Sequence, residues 1–123
     1  MAPESFAFKM REAYPRLVKI APGKPIIIAE FGCDLHNPHT DAAAWAKAAV
    51  EDLLSNRWPA VIGFCWWNEG WQNDNLKKHD TDMIILHDVD LTRVFREAFA
   101  KHANKIQEKP IAKNDEARIT NGE

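Results

Sequence analysis

Two acids, a group of indoles and one donor-rich loop are the side chains here whose types and spacing suggest chemistry. Glu30 ends the run Pro25-Ile26-Ile27-Ile28-Ala29 and is followed directly by Phe31-Gly32. A β-branched apolar run bounded by Pro and Gly reads as a strand covered on both faces. A carboxylate at its last position stands where barrel enzymes place catalytic groups. The plainer reading is a solvated or cation-paired acid at a strand terminus. Glu69 follows a second apolar run, Ala60 to Trp67, so the two acids fall at the loop ends of neighbouring strands. Glycosidic bond cleavage uses two carboxyls: one protonates the leaving oxygen, and the other attacks the anomeric carbon or activates water. Within Asn68-Glu69-Gly70, Glu69 also reads as an ordinary exposed loop acid.

Five Trp are the compositional outlier, and Trp66, Trp67 and Trp71 share one short segment. Sugar rings expose C–H faces that pack on indole, so these residues are candidates for a stacking platform beside a cleft. Strand alternation sends Trp66 and Trp67 to opposite faces, one into the core and one onto the platform, and the pattern does not choose between them. A rival chemistry is metal binding by Cys33-x-x-His36-x-x-His39, with Asp34 and Asp41 nearby and His79 or His87 to complete a site. Structural zinc uses four ligands of defined spacing, and Asn37-Pro38 is ordinary turn chemistry, so neither a metal nor a cofactor is expected. Lys77-Lys78, Asp80, Asp82 and Asp88 to Asp90 read as a solvated loop.

These residues need elements to hold them. Apolar spacing predicts a helix from Ser5 to Ile20, capped by Ser5 and kinked or divided at Pro15. A turn at Ala21 to Lys24 leads into the strand ending at Glu30. A polar loop from Asp34 to Thr40 precedes an amphipathic helix, Ala42 to Leu54, capped by Asp41 or Thr40. Asn56-Arg57-Trp58-Pro59 ends that helix, and the second strand follows, with Gly63 marking a close backbone approach or a bend. A loop of about twenty residues then runs from Asn68 to Val89, with a short strand at Met83 to Leu86; loops of that length tend to be functional. A last helix starts at Asp90 or Thr92 and puts Leu91, Val94, Phe95, Ala98, Phe99 and His102 on one face.

The order is helix, strand, helix, strand, helix, an α/β layout with crossovers long enough for a right-handed parallel connection. Two strands are far fewer than the eight of a closed barrel, and an isolated pair leaves two apolar edges unpaired. The expected protein partners are therefore the remaining barrel strands or a second copy joined through the open edges. Residues 1–106 read as one structural unit and residues 107–123 as a polar, disordered tail.

The formal net charge of -2 and the scattered basic residues give no footprint for nucleic acid or anionic lipid. No apolar stretch is long enough to span a bilayer, and the residues after Met1 do not read as a leader, so localisation stays open. Cys33 and Cys65 are too few for a disulfide framework, although neighbouring strands can bring them close.

Taken together, Lys24-Pro25-Ile26-Ile27-Ile28-Ala29-Glu30-Phe31-Gly32, the Ala- and Trp-bearing helix, Ile62-Gly63-Phe64-Cys65-Trp66-Trp67-Asn68-Glu69 and the closing Phe95-Arg96-Glu97-Ala98 helix resemble the C-terminal part of glycoside hydrolase family 26. That family comprises retaining clan A enzymes, many of them endo-β-mannanases. The resemblance covers roughly residues 5 to 105. It implies a partial (β/α)8 TIM barrel, strands seven and eight with a preceding helix, acting on a β-linked poly- or oligosaccharide. It assigns the nucleophile to Glu30 and the sugar wall at the scissile bond to Trp66 or Trp67; Trp71, from the indole cluster, and Glu69, from its place after the second strand, are further substrate-contact candidates on the residues alone. The family's general acid/base, at the end of strand four, has no counterpart in the chain, so little or no hydrolysis is expected from the chain alone. A non-catalytic carbohydrate-binding unit and an inactive fragment are the rivals.

Overall fold

The computed structural model describes residues 4–105; the predicted tail at 107–123 lies outside them. Helix α1 (Phe6–Ile20) begins where the Ser5 hydroxyl accepts the Phe8 N–H at 3.2 Å. Pro15 does not divide it: the helix continues to Ile20 and ends as the Ala21 N–H donates to the Leu17 carbonyl. The missing proline donor is tolerated because the last turn carries little packing, with Leu17, Val18 and Ile20 all exposed. Gly23, at φ +72°, turns the chain into strand β1 (Ile26–Phe31).

Helix α2 (Ala42–Leu54) is capped by Asp41, whose Oδ1 accepts the Ala44 N–H at 3.0 Å. Asn56, in the left-handed region at φ 62°, then turns the chain toward strand β2 (Val61–Trp66). β2 pairs in parallel with β1, with α2 as the crossover. Helix α3 (Val89–Lys101) starts earlier than its pattern suggests. Asp88 caps it by accepting the Leu91 N–H at 2.7 Å, and the Thr92 hydroxyl is already engaged with the Ile85 carbonyl. Glu51 ties α2 to α3, its Oε2 lying 3.1 Å from Lys101 Nζ and 3.3 Å from the buried His102 ring.

The segment after β2 is organised, not structureless. Strand β3 (Gly70–Trp71) pairs antiparallel with strand β4 (Thr81–Asp82), and Lys77–His79 and Ile85–His87 form single turns of 3-10 helix. The strand expected at Met83 to Leu86 is therefore displaced. The cause is local competition: Asp82 Oδ1 takes the Ile84 N–H at 2.9 Å and Asn68 Oδ1 takes the Ile85 N–H at 2.8 Å, removing donors a ladder needs.

The β1–β2 register contains two irregularities. Ile26 faces Val61 and Ile27 faces Gly63, so β2 has one surplus residue; Ile28 faces Phe64 and Phe31 faces Trp66, so β1 has one surplus in turn. The first accounts for Gly63, which is not a close approach, since a Cβ added there would meet nothing within 4 Å. The second puts Ile28 and Phe31 both on the helix side and leaves Ala29 and Glu30 exposed between them. Strict alternation would have sent Glu30 to the helix side with Ile28 and Phe31 to the open side.

Phe31 is the aromatic hub, its ring centroid 5.1 Å from Phe6, 5.4 Å from Trp66, 5.8 Å from Phe64 and 6.3 Å from Trp45. Ala46, Val50 and Leu91 are fully buried between α2 and α3 beneath it. The opposite face of the strand pair is open: Ile27 is 63% exposed and Ile62 67%. The strand is thus covered on one face, not both, because all three helices are on the same side of the two-stranded sheet. Cys33 is buried, Cys65 is exposed on the open face, and both are free thiols.

Candidate functional site

At the C-terminal ends of β1 and β2, Glu30, Phe31, Gly32, Trp67, Trp71 and Met83 line an open hollow of about 310 Å³. β1 supplies the acid through its surplus residue. Glu30 makes no hydrogen bond or ion pair among the described residues, and neither terminal salt bridging nor burial constrains it. Its carboxylate is available to a ligand. β2 supplies one indole: the Trp67 N–H donates to the Phe31 carbonyl at 2.8 Å, continuing the strand pairing one residue beyond β2. The Trp67 indole nitrogen is covered from solvent and has no acceptor among the described residues.

Trp71 stands against Trp67 in an edge-on contact, centroids 6.0 Å apart. Its own indole N–H is held by Asn73 Oδ1 at 2.9 Å, and Asn73 is held in turn by the His79 carbonyl and the Thr81 hydroxyl. That chain of bonds fixes the ring while leaving it 41% exposed, so a partly open aromatic surface is held in place beside the acid.

The two adjacent tryptophans part company as alternation requires, and the structure makes the choice that the sequence pattern leaves open. Trp66 belongs to the core, with its ring 5.2 Å from Phe95 and its indole N–H donating to the Met83 carbonyl at 2.7 Å. Trp67 faces the hollow. Glu69 does not line it; its side chain is exposed and its backbone carbonyl accepts the Met83 N–H at 3.0 Å. Among the described residues, Glu30 is the only carboxylate lining this hollow.

Comparison with protein-family models, curated proteins and solved structures found no match.

The loop beneath the hollow is held by two acids that the sequence reading left in solvent or to a metal. Asp34 Oδ1 accepts from the His36 and Asp82 N–H groups, at 3.2 and 2.9 Å. Asp82 Oδ2 lies 2.7 Å from His87 Nδ1, and its side chain is only 18% exposed. Burial pushes the Asp82 carboxyl up, but the Ile84 N–H, the bond to His87 and the charges of His87 and His36 together bring it below its ordinary value. At the rim, Asp74 is also lowered, first by its bond to His79 and then by the Leu76 N–H. Asp80, Asp82 and Asp88 thus differ from a solvated run: one has a covered oxygen, one organises a turn and one caps a helix.

The proposed metal ligands do not converge. Cys33 is buried, and burial first, then the charges of Asp34 and Asp41, push its thiol up, away from the thiolate a metal needs. The His36 ring is paired with the Asp80 carbonyl at 3.1 Å, and His39 is exposed. No group of three or more His, Cys, Asp or Glu side chains among the described residues is arranged to hold a metal ion.

Sequence reasoning missed Met83 and Gly32. Met83 lies in the middle of the long loop and offered no signal. Gly32 did offer one, as a glycine directly after a strand-end acid: a Cβ there would lie 2.6 Å from Met83 Sδ. Its hydrogen side lets the methionine form the floor of the hollow.

Proposed function

We propose that this chain forms the glycan-binding, nucleophile-bearing part of a retaining β-glycosidase barrel, resembling glycoside hydrolase family 26, in which β1 and β2 are two adjacent parallel strands. The observation that carries the reading is that an unpaired carboxylate, Glu30, and two indoles line one hollow at the C-terminal ends of those strands. The open Ile27 and Ile62 face corresponds to a barrel interior, and the helix-covered face to its exterior.

In this reading a sugar ring stacks on Trp67 or Trp71 while Glu30 attacks the anomeric carbon, forming a glycosyl–enzyme bond as the leaving oxygen departs. The leaving oxygen needs a proton from a second carboxyl roughly 5 Å from the first. Glu69 is not at the hollow, so that acid comes from another barrel strand. The protein partners are then the remaining barrel strands.

The test is saccharide binding and turnover by the purified chain. Binding of a β-linked oligosaccharide that survives Glu30→Gln and is lost in Trp67→Ala, with negligible hydrolysis, supports the proposal. Turnover by the chain alone that Glu30→Ala abolishes would show a complete catalytic site and refute the incomplete-barrel reading. Binding that stays non-catalytic even when barrel strands are supplied in trans favours a carbohydrate-binding role.

A further inference from the structure

Trp71 is oriented by a chain of hydrogen bonds that ends in an acid–imidazole pair. Its indole N–H donates to Asn73 Oδ1 at 2.9 Å, and Asn73 Nδ2 donates to the His79 carbonyl at 2.6 Å and the Thr81 hydroxyl at 2.8 Å. The His79 carbonyl is placed in turn by Asp74. Asp74 Oδ1 accepts the Leu76 N–H at 2.7 Å, Asp74 Oδ2 lies 2.6 Å from His79 Nδ1, and the His79 N–H donates to the Leu76 carbonyl at 2.8 Å. Both ends of the Asn73 amide are therefore engaged, the oxygen on the ring and the nitrogen on the turn. Asn73 is exposed and belongs to neither buried cluster, so its bonds direct the ring and do not build the core. The ring depends on them: its one aromatic neighbour among the described residues is Trp67, met edge-on. An indole held in place before a ligand arrives spares the ordering cost of binding.

We propose that Asn73 is a positioning residue acting through Trp71, and that the Asp74–His79 pair makes its hold on the indole respond to pH. This concerns the regulation of the Glu30 hollow, and its saccharide arm rests on the glycan reading of that hollow. Imidazole is the side chain that changes charge between about pH 5 and pH 8. Asp74 stays ionised over that range, because its bond to His79 first and the Leu76 N–H second hold its carboxyl below the ordinary value. At the acid end the contact is an imidazolium–carboxylate pair, and it weakens to a singly charged hydrogen bond as the pH rises. His79 has no second acidic partner among the described residues. The other charged or titratable groups around the turn are Lys77, Lys78 and Asp80 within it, and His36, Asp82 and His87 from the segments beside it. His36 is engaged with the Asp80 carbonyl and His87 with Asp82, so neither competes for Asp74.

The test follows the Trp71 indole N–H, assigned by its loss in Trp71→Phe, in nitrogen-15 spectra of the full chain from about pH 5 to about pH 8. Affinity for mannotetraose and cellotetraose is measured alongside by titration calorimetry. In the wild type the indole signal should shift with the same midpoint as the His79 ring. It should stay fixed in His79→Gln and should lose its dependence in Asn73→Ala, both at exposed positions and both checked for folding by circular dichroism. The saccharide that binds should do so about threefold more tightly at the acid end, a difference that His79→Gln removes. Asn73→Ala should weaken binding about fivefold in the wild type and cause no further loss in Trp71→Phe, which keeps a ring but has no N–H for Asn73 to hold. An indole signal that ignores pH, or that still follows it in both variants, overturns the pH-responsive hold. A further loss from Asn73→Ala on top of Trp71→Phe shows a structural role and overturns the positioning assignment. Failure of both saccharides to bind at any pH overturns the glycan reading instead, and the indole titration then decides the hold on Trp71 by itself.

Discussion

The Trp67 amide donates to the Phe31 carbonyl at 2.8 Å, so the wall of the Glu30 hollow is bonded to the residue that follows the acid. The same peptide bond links Trp67 to Trp66, which is buried against Phe95. The two tryptophans should consequently separate binding from stability. Trp66→Ala opens the aromatic core and should cost about 3–5 kcal/mol in urea unfolding. Trp67→Ala should cost under about 2 kcal/mol, because its ring is partly exposed, while abolishing saccharide binding in titration calorimetry.

Gly32→Ala should damage the site more than the fold. The new methyl must displace Met83 Sδ, which is flexible enough to move, and the displaced side chain then fills the hollow. The expected outcome is a stability loss of about 1 kcal/mol or less with at least tenfold weaker disaccharide binding. Unchanged affinity would mean that Met83 is not the floor of the site.

Phe31→Ala removes the ring shared by Phe6, Trp45, Phe64 and Trp66. A loss of about 3 kcal/mol is expected, measured by chemical denaturation. A loss well below 1 kcal/mol would show that the aromatic cluster closes up without its hub.

Asp82 makes the loop sensitive to acid. Its carboxyl lies below the ordinary value of 3.8 in the folded chain, so its contribution is complete above that value and is lost as the pH falls through the lowered one. Wild type should therefore lose stability relative to Asp82→Asn as the pH falls through the acid range below 3.8. Denaturation midpoints across that range provide the check.

The open face predicts association. Ile27 and Ile62 are exposed on adjacent parallel strands whose outer edges are unpaired among the described residues. Sedimentation of the isolated chain should show concentration-dependent self-association, and Ile62→Glu should shift it toward monomer without changing circular dichroism.

Much of this arrangement was legible in the sequence, for physical reasons that differ by element. The Ile-rich and Phe64-to-Trp66 runs, the Ala-rich helix and its Asp41 cap carry local signals strong enough to specify themselves. The opposed faces of Trp66 and Trp67 follow from alternation, but which faces the core depends on the surplus residue in β2 near Gly63, which puts Val61, Phe64 and Trp66 on the core side and which alternation alone does not encode. The early start of α3 and the displaced strand near Met83 were hidden because Asp88, Asp82 and Asn68 act through backbone hydrogen bonds to residues that only the folded loop brings into reach. Glu69 looked equivalent to Glu30 by position, yet the chain turns into β3 immediately after it and carries its side chain clear of the hollow.

The division of the five indoles has a practical optical consequence. Trp58 is buried, and Trp45 and Trp66 sit within the aromatic cluster, whereas Trp67 and Trp71 border the hollow near water. The first group should emit at shorter wavelength and report unfolding, and the second at longer wavelength and report occupancy, so a single fluorescence spectrum can follow both events without an added dye.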